Sequence, residues 1–268
     1  MRDPPYRALS LDLWFTTVSF HLGTLKRWRE AREQVLRSVL ELPQGFPDPE
    51  ELRRVQREVR RAHHQDQLWG ETMDPGRFVA ALAEGLGGGL RVPMEEAGAR
   101  YSDAGLQESP PEVNPEAEEL VRALRERGVP VIAVTNTGRR EESWRRFFES
   151  RGGPLFQTIV TSCEVGEGKP SPEIFRVAGE RLGVSPGDML HVGDRWDIDV
   201  AGARAVGAGP VLYSGLWERY AVEGDDDPEL NRRLDDGGSD VLRVRSLLEV
   251  LERARFAAGP VGPSAPGP

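Results

Sequence analysis

Apolar positions change rhythm twice along this chain. Residues 8–18, ALSLDLWFTTV, form a run about one strand long, broken by a single carboxylate at Asp12. From Leu25 to about Leu106 the spacing becomes helical. Leu25, Trp28, Ala31, Val35 and Val39 share one face, Asp48-Pro49 opens a second helix with Leu52, Val55 and Val59, and Asp74-Pro75 opens a third with Phe78, Val79 and Leu82. No strand pattern interrupts these segments, so the spacing predicts a helical module placed after the first strand.

From residue 114 helices and strands alternate. Asn114-Pro115 caps a helix carrying Leu120, Val121 and Leu124, Gly128 ends it, and VPVIAVT at 129–135 follows as a continuous apolar run of the kind buried on both faces. A helix with Trp144, Phe147 and Phe148 then precedes a strand at 155–160. Ser171-Pro172 opens a helix that ends at Gly183 before DMLHVG, and another helix ends near Gly207 before GPVLYS. Such alternation predicts an α/β fold with a parallel sheet and helices on both faces. The expected boundaries are a sheet-bearing core over 1–18 and 107–256, a helical module over 19–106, and a disordered Gly/Pro-rich tail over 257–268. The acidic, turn-rich stretch at 223–240 reads as a surface loop.

Charge narrows the partners. A net charge of -9 over 268 residues argues against nucleic acid or a membrane surface, both polyanionic, and leaves small molecules. One cysteine, Cys163, permits no intrachain disulfide and no thiolate metal cluster. No stretch reaches the roughly 18 apolar residues of a membrane span, and no leader pattern opens the chain, so the expectation is a soluble cytoplasmic protein.

In a parallel α/β sheet, ligands gather outside the carboxyl ends of the strands. The polar residues there are Asp12 after the first strand, Thr135 and Asn136 after the second, Lys169 beyond the third and Asp194 after DMLHVG. A carboxylate, a hydroxyl, an ammonium and a second carboxylate would converge on one crevice. In this order the residues resemble the four motifs of the haloacid dehalogenase superfamily over nearly the whole chain. Asp12 with Thr16 resembles the first motif, Thr135 the second, Lys169 in GKPSPEIF the third, and HVGDRWDIDVAGARAVG, with Asp194 and Asp199 five apart, the fourth. The resemblance implies a Rossmann-like core with an inserted helical cap of the first type, which closes over the crevice and selects the substrate.

The chemistry of these residue types agrees with that resemblance. A carboxylate at Asp12 can attack phosphorus and form an aspartyl-phosphate, dividing one hard displacement into two easier ones. Negative charge on the transferring phosphoryl group calls for Lys169, the Thr135 hydroxyl and backbone amides after Asp12, with Thr16 and Asn136 as further substrate contacts. Two anions beside a phosphate need a cation between them, and magnesium suits an all-oxygen site. The resemblance implies ligation by Asp12, Asp194 and the backbone carbonyl of Trp14, with Asp199 in support. It also implies an acid-base carboxylate two residues after the nucleophile, where this chain has Trp14, and glycine where it has Phe15. General acid-base help is worth on the order of 10² to 10⁴ in rate. The expected activity is hydrolysis of a small phosphorylated metabolite. Two alternatives stand beside it: a dehalogenase of 2-haloacids, whose halide leaves without a proton and whose substrate arginine would be sought at Arg27 or Arg29, and a phosphate-binding protein without turnover.

Other features read as structural. GEGKPS at 166–171 lacks the first glycine of a phosphate loop, since Cys163 stands there. His63 and His64 are adjacent and point to different helix faces, so they cannot share a metal; they read as surface residues, with a cap acid in place of the one absent at Trp14 as the alternative. RRVQREVRR at 53–61 reads as a solvated helix face, and Trp28 and Trp69 as packing.

Overall fold

The computed structural model describes residues 5–20, 22–63, 72–215 and 241–257. His64, Trp69, the 223–240 stretch and the tail from 258 lie outside the described residues, as does the side chain of His63.

Six strands form one parallel sheet: β1 (Ala8–Leu11), β6 (Val131–Thr135), β7 (Thr158–Thr161), β8 (Met189–Gly193), β9 (Gly209–Tyr213) and β10 (Leu242–Val244), in the spatial order β10-β9-β8-β1-β6-β7. The chain leaves β1 toward β6 and β7, then returns to the other side of β1 for β8 and works outward. The reversal falls between β1 and β8, which is the switch point where an α/β sheet opens a crevice.

Alternating side chains give the sheet two cores. Leu9, Leu11, Val131, Ala133 and Val192 face a cluster with helices α5 (Pro115–Glu126) and α6 (Glu141–Glu149), including Leu120, Leu124, Trp144 and Phe147. Ala8, Ile132, Val134 and Met189 face the opposite side, where α8 (Pro172–Leu182) contributes Ile174, Phe175 and Ala178.

Between β1 and β6 come α1 (Leu22–Val39), α2 (Pro49–His63), α3 (Pro75–Gly85) and α4 (Met94–Asp103), which share a core of their own with Leu36, Leu52, Val55, Phe78, Val79 and Leu82. Asp48 accepts bonds from the backbone of Glu50 and Glu51, and Asp74 from Gly76 and Arg77, so both expected starts are capped. The insert is joined to the sheet-bearing part by an antiparallel pair, β2 (Val18–Ser19) with β5 (Glu112–Val113). No helix among the described residues is long and apolar enough to cross a membrane.

The structure departs from the sequence reading in four places. A second short ladder, β3 (Leu40–Glu41) with β4 (Gly89–Leu90), interrupts the helical module. The strand expected over 155–160 is Thr158–Thr161, and a short helix α7 (Ser162–Val165) follows it. The helix ending near Gly207 begins as a wide π turn at Trp196–Val200 before α9 (Ala201–Ala205). Strand β10 and helix α10 (Glu249–Arg253) carry no signal that the periodicity detects.

Candidate active site

Asp12 follows the last residue of β1, and Asp194 the last residue of β8, on the two strands that flank the switch point. The loop after β1 is held from several sides. Asp12 N–H donates to Val192 O, the Thr17 hydroxyl donates to Asp12 O at 2.7 Å, and Thr17 and Val18 N–H both return to Leu13 O. Asn114, cap of α5, donates from Nδ2 to Thr16 O and to the Tyr213 hydroxyl, both at 3.1 Å. Phe15 takes a left-handed φ of 55°, rare for an aromatic residue and held here by its N–H bond to Val18 O.

Lys169 reaches the same point from the loop before α8. Its ammonium lies 2.7 Å from Asp12 Oδ1 and 2.6 Å from Asp199 Oδ1, with all three residues almost wholly buried. Asn136 fixes the backbone of this lysine: its Nδ2 donates to Lys169 O at 2.8 Å, and Lys169 N–H donates to its Oδ1 at 2.7 Å. Asn136, expected as a substrate contact, closes its side-chain amide around the lysine backbone. A Cβ on Gly168 would lie 2.7 Å from Asn136 Oδ1, so only glycine lets the loop approach that closely.

Asp199 sits in the π turn and accepts from Lys169 and from Arg195 N–H, while His191 Nε2 stands 3.1 Å from its Oδ1. The other nitrogen of His191, Nδ1, is 2.9 Å from the Ser10 hydroxyl. Sequence reasoning missed His191. Its signal was a polar residue at the centre of a strand otherwise apolar throughout, which calls for buried partners.

Asp12, Asp194 and Asp199 each offer an oxygen within 4.8 Å of the others, and all three are buried. Burial lifts the Asp12 carboxyl to about 6, Lys169 pulling it down and Asp199 pushing it up. Burial opposes ionisation of Lys169 too, but the two carboxylates outweigh it and hold the ammonium above its usual range. Asp199 is held well below the ordinary carboxylate range because Lys169 and His191 overcome its own burial, and burial keeps His191 below the usual imidazole value.

Two hydroxyls expected at the site are buried. Thr16 Oγ1 and Thr135 Oγ1 are fully buried with no hydrogen-bond partner in the protein, a costly state that a polar ligand would relieve. Trp14 turns its indole onto an aromatic cluster, 5.0 Å from Trp144, 5.5 Å from Phe20 and 5.6 Å from Trp28. A groove of about 1200 Å³ lies elsewhere, between α3 and α4 on one side and α6 and α7 on the other. It is lined by Asp74, Met94, Arg140 and Cys163 among others, and by none of Asp12, Lys169 or Asp194. In the groove the carboxylates beside Arg140 only hold an already charged guanidinium above its usual range, whereas in the buried cluster a carboxyl is lifted toward neutral pH in contact with an ammonium.

Comparison with known proteins bears on this cluster. The family model of haloacid dehalogenase-like hydrolases matches residues 9–207. The chain is 33% identical over 139 residues to the glyceraldehyde 3-phosphate phosphatase of Methanopyrus kandleri, covering 51% of this chain and 55% of that protein. It is also 33% identical over 137 residues to the phosphoserine phosphatase of Thermus thermophilus, covering 51% and 49%. It thus spans about half the length of these curated relatives. Among solved structures, a 2-haloacid dehalogenase from Pseudomonas syringae superposes with a TM-score of 0.59 at 18% identity, covering 92% of this chain and 99% of that one. A HAD phosphatase from Thermococcus onnurineus gives 0.57 at 21%, covering 94% and 100%. These two likenesses show a shared fold.

Proposed function

The chain belongs to the haloacid dehalogenase-like hydrolases, and from that premise we propose that it is a magnesium-dependent phosphatase acting on a small phosphorylated metabolite through Asp12. The observation that carries the reading is charge. Three buried carboxylates each offer an oxygen within 4.8 Å of the others, one ammonium bridges two of them, and burial has already lifted Asp12 to about 6. A divalent cation with oxygen preference answers both facts. Asp12, Asp194 and the Trp14 carbonyl would hold it. Magnesium, when bound, neutralises the phosphate oxygens and lets an anionic nucleophile approach them.

The chain's own groups then have these roles. Asp12 attacks phosphorus. Lys169 stays protonated and balances charge on the equatorial oxygens, while Thr16 and Thr135 donate their unpartnered hydroxyls to the same oxygens. Asp199 orients the lysine, His191 orients Asp199, and Asn136 fixes the lysine loop. The helical insert α1–α4, taken as the cap, would choose the organic part of the substrate. The names of the two curated relatives support phosphorylated metabolites of low mass as the substrate class.

The test is turnover of p-nitrophenyl phosphate or acetyl phosphate with magnesium. Release of phosphate that disappears on chelation and in Asp12→Asn is the expected result. If a broad phosphate panel gives no turnover while phosphate or tungstate still binds, the protein is a binding protein instead. Halide release from 2-chloropropionate that survives chelation would establish the dehalogenase reading, which the buried acidic trio disfavours by repelling a substrate carboxylate.

A further inference from the structure

Among the described residues, Asp12 has no partner for proton transfer. The Lys169 ammonium is shared between Asp12 and Asp199, and a proton given up there would remove the positive charge that bridges them. His191 is 1% exposed and engages Ser10 through Nδ1 and Asp199 through Nε2, so neither nitrogen faces a substrate. Asp199 is engaged by Lys169, His191 and the Arg195 amide, Asp194 is given to the cation in the phosphatase reading, and the hydroxyls of Thr16 and Thr135 are too weakly acidic to give up a proton. Trp14, two residues beyond the nucleophile, is packed against Phe20, Trp28 and Trp144, and an indole is neither a usable acid nor a base. Among the described residues, then, no group at Asp12 is placed to protonate a leaving oxygen or to take a proton from an attacking water.

Resting on the phosphatase reading, we propose that this chain takes phosphoryl groups from donors whose leaving oxygen departs as a stable anion, acyl or aryl phosphates, and that the Asp12 phosphoryl-enzyme persists long after it forms. In the first step a carboxylate oxygen of Asp12 bonds to phosphorus as the bond to the leaving oxygen breaks. The electron pair departs on a carboxylate or phenolate, which needs no proton. In the second step water attacks phosphorus and the Asp12 carboxylate leaves with its pair; one water proton passes to solvent and the other stays on the phosphate. With no such group among the described residues, help of about 10² to 10⁴ is missing from this second step whatever the substrate, so the second step limits turnover. Accumulated covalent enzyme and a burst are the fingerprint of that order of rates.

Rapid mixing of the whole chain in magnesium chloride with p-nitrophenyl phosphate tests it. The expected record is a burst approaching one p-nitrophenolate per chain, then steady release at least about 10²-fold slower. Hydroxylamine, which cleaves acyl phosphates, should discharge the retained phosphate, and a simple alkyl phosphate should give no burst. Linear release without a burst, or alkyl phosphates turned over as fast as the aryl ester, overturns the inference and leaves the phosphatase reading standing. No release and no retained phosphate from any donor overturns the phosphatase reading as well. Trp14→Asp should remove the burst and speed the steady phase; if it fails to fold, the burst and the leaving-group comparison in the natural chain decide the matter.

Discussion

Asp12 is the residue at which folding works against ionisation. Its carboxyl rises from 3.8 to about 6 chiefly through burial. A folded value above the unfolded one means that the protonated form is the one the fold favours, so the contribution to stability is full below pH 3.8 and is lost as pH rises through about 6. The loss corresponds to roughly 3 kcal/mol. Asp12→Asn stays neutral throughout. It should melt close to the natural chain near pH 4 and clearly above it at pH 7.5, the gap opening between those values. Magnesium should close the gap by raising the natural chain's Tm at pH 7.5 while leaving the variant little changed. Melting curves at the two pH values, with and without magnesium chloride, check this; a gap of the same size at both pH values would sink it.

Among the elements, β8 and the π turn after it depend on one glycine. A Cβ on Gly193 would fall 2.1 Å from Asp199 Cγ and 2.4 Å from its Oδ2. The end of β8 can lie against Asp199 only because residue 193 has no side chain. Gly193→Ala should push Asp199 away from Lys169, His191 and the Arg195 amide, with a cost of about 1–3 kcal/mol and loss of phosphate release, read by denaturant unfolding and by the p-nitrophenyl phosphate assay. The sequence shows some of this and hides the rest for physical reasons. Caps at Asp74, Asn114 and Ser171 are legible because each is a side chain bonding to backbone two or three residues on, followed by proline. So are Asp12, Thr135 and Asp194, because polar residues end apolar strands there. The β3–β4 ladder is not legible, since two residues carry no periodicity. Nor is the Ser10–His191–Asp199 chain, since Ser10 is remote in sequence and meets His191 only across the paired strands β1 and β8, while Asp199 folds back onto the histidine from the π turn. The role of Asn136 is hidden for the same reason: its partner is the backbone of Lys169.

Across the whole molecule, α1 belongs to two cores at once. Its Leu36 and Val39 lie in the cluster of the helical insert, whereas Trp28 lies in the cluster beneath the sheet. Trp28 is fixed there by its indole N–H to Ser109 O at 2.7 Å, by the Arg139 guanidinium 4.9 Å from its ring centroid, and by Trp14 and Phe20. Polar clamps join the same two bodies. Arg140 holds Asp74 at 2.8 Å and also Glu95, Arg146 meets Asp103 at 2.5 Å, and Arg139 donates to the carbonyls of Ser102 and Ala104. The exposed member of such pairs is screened by salt, while Trp28 is not, so the aromatic joint sets the coupling and the ion pairs trim it. The chain should therefore unfold in one calorimetric transition that added salt shifts but does not divide. Trp28→Ala should cost about 3–5 kcal/mol, as for other buried aromatic truncations, and let the helical insert melt first as a separate step. A Trp28→Ala protein that still unfolds in one transition would show that the clamps of Arg139 and Arg140, rather than the aromatic cluster through which Trp14 joins α1 to α6, hold the two cores together.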